Sequence, residues 1–439
     1  LPNKFYNLVR TKMAKTFSKI KNILIFALLF RIILVIISGY HPDILNHLDW
    51  GVRFLSLGSK KFYENIFWGV SWPNQPLGSM LLFAFIAVIN KFLFQIILFL
   101  NNTIPIFPSF IIPVLEQNLH VWLVKLPFIL SDIGIGYLIY KIIHQYHPSK
   151  AITAATIFLF NPVLIYNSAI WGQTDSLINL LALAGLYLIY QKKYFSGVIL
   201  FLSGFLFKLS LIIYLPILGL LFLKRLKDWK KFIAPVISFA VLIFVLAIPF
   251  AFGDKNPFEW LWYMYTNRVL VRQGSMLNGN AFNFWAGLFG INLSLSEFTK
   301  FWGLTYQWWG RLLYLLFLLP VWFKFIKSKL TLTNLFYALM LSAFGSFIFL
   351  TNMHERYLYP VFPLLTTIIF LPKSKFNLKH LLALSLIHFL NLYNLWFYPL
   401  VSPLKTLLIG FNFLTCRLLS FILLVTCLVY LVKYLKSDL

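Results

Sequence analysis

The sequence predicts an all-α, polytopic membrane protein. Of its 439 residues, 60% are hydrophobic and only 11% are charged, and the mean hydropathy is +0.81. A soluble domain is about 45–50% apolar and about 25% charged, and a disordered chain is poorer still in apolar residues. Both classes are excluded, leaving a bundle of membrane helices.

Apolar runs fall at 22–39, 77–90, 92–112, 119–140, 150–170, 177–190, 195–207, 209–223, 232–252, 304–325, 331–350, 357–371, 380–397 and 405–433. Each approaches or crosses a hydrocarbon layer of about 30 Å, so about twelve to fourteen transmembrane helices are expected. The segment Leu1–Lys21 is basic, with no small-residue cleavage site after the first apolar run. That run, Ile23–Ser38, is therefore expected to be a first membrane helix and not a removed leader. No linker, soluble domain or fixed-period repeat interrupts the chain, so residues 1–439 are expected to form one transmembrane domain.

The formal charge is +26, from 38 Lys and Arg against 12 Asp and Glu. In a soluble chain such an excess would suggest nucleic acid. Here the basic clusters at Lys4–Lys21, Lys141–Lys150, Lys192–Lys193, Lys224–Lys231, Lys324–Lys329, Lys373–Lys379 and Lys433–Lys436 all fall on one side when the spans are counted. Cytoplasmic loops are rich in Lys and Arg, so the excess reads as orientation in a plasma membrane with both termini cytoplasmic, and no nucleic-acid partner is expected. Asp43, Asp49, Glu64, Asp175, Asp254, Glu259, Glu297 and Glu355 sort to the opposite, external side. Chemistry is expected there, in loops near 40–76 and 253–303 and in turns at 171–176 and 352–356. The basic loops are short, with no Walker loop or dinucleotide fingerprint, which argues against an ATP-driven pump. Cys416 and Cys427 lie about 16 Å apart along one helix, too far for a disulfide.

The external motifs follow in chain order. Asp43, Asn46, His47 and Trp50 are spaced to share one helical face, predicting an interfacial helix that presents a carboxylate at the bilayer boundary. The acids could equally solvate the loop, with Trp50, Trp68 and Trp72 as interfacial belt residues. The turn Trp171-Gly172-Gln173-Thr174-Asp175-Ser176 suits a hydroxyl-rich ligand or a capped helix start. Lys208 is a charge inside an apolar run, either functional or snorkelling to the interface. Arg268 and Arg272 are external, against the orientation trend. They suit an anionic ligand gripped by a guanidinium fork, or lipid headgroups. His354-Glu355-Arg356 offers an imidazole, a carboxylate and a cation, for phosphate binding or as a salt-bridged cap. It lacks the second His of a helical zinc site.

Together these residues resemble the GT-C superfamily of integral-membrane glycosyltransferases, which use polyprenyl-phosphate sugars. The first loop carries the best match, in Asp43, Trp50, Gly58, Phe62, Tyr63, Trp72, Pro73 and Pro76. Lys125-Leu126-Pro127 with Asp132, Asn161-Pro162 and the Trp171–Asp175 turn resemble bacterial, mannosyltransferase-like members. Phe207-Lys208 with Tyr214 and Pro216, Asn280-Ala281-Phe282-Asn283-Phe284-Trp285, and His354-Glu355-Arg356 resemble segments of the dolichyl-phosphate-glucose glucosyltransferases. The similarity spans residues 22–371, with 372–439 as C-terminal helices. The adjacent acid pair of protein O-mannosyltransferases is absent, which argues against that subfamily.

The resemblance implies a GT-C-like fold and an inverting hexosyltransferase that moves a sugar from a polyprenyl phosphate to a hydroxyl of a glycolipid, glycan or protein. Asp43 would be the general base, with Asp49 its rival. Arg268, Arg272, His354, Arg356 and Lys208 would hold the donor phosphate. Trp50, Trp72, Trp171, Gln173, Asp175, Asn280 and Asn283 would contact sugar or acceptor. No cofactor is implied and no metal is demanded, although Asp43 with Asp49 could hold one. The alternatives are a flippase or transporter of lipid-linked sugars, which would place charges across the membrane midplane, and a non-catalytic envelope scaffold.

Overall fold

The computed structural model describes residues 2–64, 71–251, 256–270 and 275–439, with side chains described from residue 18 onward except at 411 and 412. Within them the chain forms seventeen α-helices: α1 (Pro2–Ile37), α2 (Asp43–Phe62), α3 (Leu77–Thr103), α4 (Ile112–Tyr146), α5 (Pro148–Leu159), α6 (Pro162–Ile165), α7 (Asp175–Tyr190), α8 (Tyr194–Ser203), α9 (Leu215–Lys224), α10 (Lys230–Ala251), α11 (Pro257–Met264), α12 (Phe284–Phe289), α13 (Tyr306–Lys327), α14 (Leu332–Phe349), α15 (Val361–Phe370), α16 (Leu378–Tyr393) and α17 (Ser402–Leu435). The strand content among the described residues is one two-residue antiparallel pair, Lys300–Phe301 with Leu304–Thr305. The protein is an all-α polytopic membrane protein. Among the described residues, seven helices are long and apolar enough to cross a membrane, or eight if the bent pair Pro148–Leu159 and Pro162–Trp171 is one span, and four more apolar helices are shorter.

The helix α14 is the axis of the packing. Every one of its side chains is buried, as expected of a helix that is apolar all round. Thr331 starts it by accepting a hydrogen bond from the Asn334 N–H at 3.1 Å. Eighteen residues give it a length of about 27 Å. The basic segments gather beyond its first turn. Lys224 donates to the Ile326 and Ser328 carbonyls, Lys324 to the Ser437 carbonyl and Lys373 to the Asp438 carbonyl. Beyond its last turn lie Leu350–Tyr357, which line the main cavity. These basic segments and the cavity thus lie at opposite ends of α14.

The runs 77–90 and 92–112, expected as two spans, are not two helices. The helix α3 runs unbroken through Asn90 and Lys91 to Thr103. A polar pair on a helix face does not end a helix; proline does. The break falls instead at Ile104–Ile111, around Pro105 and Pro108, and α4 then runs for 35 residues. The run 150–170 is bent by 47° where Asn161 precedes Pro162; its side chain caps the new turn at the Val163 N–H, 3.0 Å away. Both cysteines are free and buried.

The helix foreseen in the first loop is α2. Asp43 occupies its first turn, where a carboxylate meets the positive end of the helix dipole. Its inner face packs on α3 through Gly51, where a Cβ would lie 2.5 Å from the Phe83 carbonyl oxygen. Arg31 of α1 and Asp132 of α4 are both fully buried and pair at 3.6 Å. Ser168 and Tyr359 donate to the same carboxylate.

Candidate active site

One cavity of about 1000 Å³ opens between α2, the 171–174 turn, the Lys208 break, the 276–280 segment, residues 350–357 and the α16–α17 connection. Asp43, Asn46, His47 and Trp50 all line it, so the one-face spacing of α2 does aim these four side chains into a common space. Trp50 is held there by donating its indole N–H to the Ser71 carbonyl at 2.8 Å.

Asp43 stands at the centre of a charged cluster. Gln173 donates to its Oδ2 at 2.8 Å, and the Arg356 guanidinium lies 3.3 Å from the same oxygen. His41 Nδ1 lies 3.5 Å from Oδ1. Burial alone would raise the carboxyl's pKa, but Arg356, then His41 and Gln173, hold it well below the usual carboxylate range. The neighbouring Glu355 is raised by burial, which the same guanidinium only partly offsets. Arg356 also pairs with Glu355 at 3.2 Å and lies over the rings of Trp171 at 6.0 Å and Tyr357 at 5.6 Å. Burial opposes its charge, but Asp43, Tyr357, Glu355 and Asp175 together raise its pKa further.

Lys208 sits in an extended break between two short 3₁₀ turns. Its ammonium lies 2.8 Å from Asp175 Oδ1 and 5.0 Å from the Tyr357 ring centroid, and it faces the cavity. Asp175 starts α7 and is itself 4% exposed; it anchors Lys208 from behind. The turn before it needs Gly172 at φ +87, with a Cβ position only 2.3 Å from the Ile44 side chain. That left-handed residue lets α7 begin where Gln173 reaches Asp43.

His354 and Asn280 also line the cavity, joined by a short backbone bridge. Burial lowers the pKa of His354 to about 3, and that of His47 to about 4. Both imidazoles are neutral at neutral pH. His354 can therefore donate its one ring N–H to an anion but cannot supply a charge.

Several expected residues lie elsewhere. Asp49 does not face the cavity; Arg53 Nε engages both of its oxygens, at 2.8 and 2.7 Å, which leaves it poorly suited as a base or as a metal partner to Asp43. Trp72 is not among the lining residues, although its neighbours Ser71 and Asn74 are. Arg268 reaches the Glu64 carbonyl at 3.2 Å and not the cavity. Asn283 is fully buried and caps α12, accepting from the Trp285 and Ala286 N–H groups; a cap side chain so used is unavailable to a sugar. Arg272 and Trp68 lie outside the described residues.

The cavity also contains residues that motif reading passed over: His41, Arg311, Asn352, Asn394 and Trp396. His41 lies two residues before the chosen acid. Asn394 and Trp396 were hidden inside the apolar run 380–397, where two asparagines near a tryptophan were the available signal. Arg311 had none beyond being a cation near the start of a span.

No family model matches the chain, and no curated protein matches its sequence.

Proposed function

We propose that the protein is an inverting glycosyltransferase of GT-C type that takes a hexose from a polyprenyl phosphate and passes it to an acceptor hydroxyl at the external membrane face. The observation that carries this reading is the convergence of the Asp43 carboxylate with the Arg356 and Lys208 cations in a cavity lined by tryptophans at one end of an apolar bundle. The order of motifs along residues 22–371 supports it.

In this scheme the lipid chain lies among apolar helices and its phosphate reaches Arg356 and Lys208. Asp43 accepts the proton of the acceptor hydroxyl, within the hydrogen-bond reach that a general base needs. The acceptor oxygen bonds to the anomeric carbon as the bond from that carbon to the phosphate oxygen breaks. Polyprenyl phosphate leaves with the electron pair, and the cations stabilise its added charge. Attack opposite the leaving group inverts the carbon. The leaving group is a single phosphate and the cations are supplied by side chains, so the scheme needs no metal. Glycolipid, glycan and protein acceptors all offer the required hydroxyl.

The test incubates purified protein with radiolabelled polyprenyl-phosphate hexoses and a membrane extract as acceptor. Wild type transfers label. D43N, which keeps the shape but not the basicity, loses at least about 100-fold of that rate while still binding donor. Full activity in D43N would remove Asp43 as base. Donor movement across vesicles without transfer would favour a flippase.

A further inference from the structure

The α16–α17 connection lies beyond the region of family resemblance, yet it forms one wall of the cavity through Asn394, Leu395 and Trp396. Its backbone is strained on both sides of the tryptophan. Leu395 has φ +69 and Phe397 φ +48, a region that bulky side chains rarely adopt. Such strain persists only where the surroundings enforce it, and it clusters at functional sites.

The surroundings here do enforce it. Asn280, across the cavity, donates to the Asn394 carbonyl at 3.0 Å and accepts from the Asn394 side chain at 2.6 Å. Asn391 donates to the Asn280 carbonyl at 2.6 Å. Tyr166 donates to the Tyr398 carbonyl at 2.6 Å. Tyr393 donates to the Pro399 carbonyl and accepts from the Val401 N–H, both at 2.8 Å. These anchors lie on residues around Trp396, and they turn its indole toward the cavity instead of toward lipid.

Trp396 meets aromatic rings on several sides. Tyr398 stacks on it at 5.2 Å, Trp171 lies tilted at 5.7 Å, and His41 and Tyr166 approach edge-on at 5.1 and 5.6 Å. The ring is only partly buried and lines the cavity. Trp171 in turn lies beneath the Arg356 guanidinium. Trp171 is buried, so a phosphate on Arg356 would bring its attached group to the partly exposed Trp396. Indole faces are electron-rich and attract positively polarised edges. The C–H face of a pyranose presents such edges.

We propose that Trp396, backed by the buried Trp171, forms the stacking platform for a neutral pyranose, and so selects a sugar-bearing polyprenyl phosphate over the bare lipid. The proposal rests on the transferase reading. It extends that reading by naming a specificity-determining residue and the class of sugar that it takes.

The test compares equilibrium binding of polyprenyl phosphate and of a polyprenyl-phosphate hexose to the full chain in detergent. Wild type should prefer the hexose-bearing lipid. W396A should lose about tenfold of that preference, the size of one good aromatic contact, while binding the bare lipid as wild type does. An undiminished preference in W396A, or no preference in wild type, overturns the proposal and leaves the transferase reading standing. Binding of neither lipid by wild type overturns both. Should W396A fail to bind even the bare lipid, W396F and W396L decide. Preference kept by Phe and lost by Leu supports the stacking role, and equal preference in the two refutes it.

Discussion

The Arg356 guanidinium lies 3.3 Å from Asp43 and 3.2 Å from Glu355, so it sets the protonation of both. With Arg356 in place, Asp43 is held below its ordinary value despite burial. A carboxyl whose folded pKa lies below its unfolded one contributes stability above the ordinary carboxylate range and loses it as pH falls toward the folded value. Replacing the cation by Gln leaves burial as the leading influence, which raises the Asp43 pKa. The acid limb of the transfer rate of R356Q is expected to move to higher pH than that of wild type, measured on the residual activity. An unmoved limb would mean that Asp43 is not the titrating base. His47 behaves oppositely. Its ring stacks on Phe83 at 4.4 Å, and burial lowers its pKa from 6.5 to about 4. Between those values the unfolded chain binds a proton that the folded one refuses, so stability falls as pH drops from 6.5 to about 4. A shift of this size corresponds to about 3 kcal/mol. Thermal unfolding followed across that window should show a shallower fall in H47Q than in wild type, whatever the variant's stability at neutral pH.

At the scale of elements, the turn before α7 is the hinge of the site. Gly172 holds φ +87, and a Cβ there would lie 2.3 Å from Ile44 and 3.0 Å from Lys125. Gly172→Ala is expected to destabilise the fold by about 1–3 kcal/mol and to lower transfer, because Gln173 and Asp175 lose their alignment with Asp43 and Lys208. Gly219→Ala, in α9 with open space around it, is the control and should leave transfer unchanged and stability unchanged or slightly raised. Equal melting temperatures for the two variants would remove the turn from the argument. The same scale explains what was legible beforehand. Side chains of α2 at three- and four-residue spacing share a face on any helix, so Asp43 and Trp50 could be assigned to one surface from sequence alone. The Trp171–Asp175 turn and His354–Arg356 were legible as polar motifs set between apolar helices. Asn283 is a helix cap, a role that uses the same residue types as a ligand contact. The α3 boundary was misread because polarity at Asn90 and Lys91 was weighed above proline at Pro105 and Pro108. Trp396 was invisible because its position depends on anchors over 100 residues away, at Asn280 and Tyr166.

Across the whole molecule, the cavity rests on a second polar layer in the bundle interior. Arg31 of α1 pairs with Asp132 of α4 and donates to the Leu159 carbonyl of α5 at 2.7 Å. Asp132 also accepts from Ser168 and from Tyr359. One carboxylate thus joins the first helix, the longest described span, the bent pair and the segment that carries His354–Arg356. Nearby, Lys125 donates to the Gly39 and Ile170 carbonyls at 2.8 and 2.9 Å, tying the end of α1 to the 171 turn. Such a layer could be a route for charge or a set of braces, and substitution separates the two. Removing one partner of a buried ion pair leaves an uncompensated charge and costs about 3–5 kcal/mol, whereas replacing both by apolar residues of similar volume is often neutral. As braces, Asp132→Leu should lower the melting temperature sharply, and the double variant Arg31→Met with Asp132→Leu should recover most of it. Transfer by the double variant, scaled to folded protein, should stay within a few-fold of wild type, because the cavity groups above are untouched. A stable, folded double variant that has lost transfer would instead make the interior pair part of the chemistry, and the site would then extend from the cavity into the centre of the bundle.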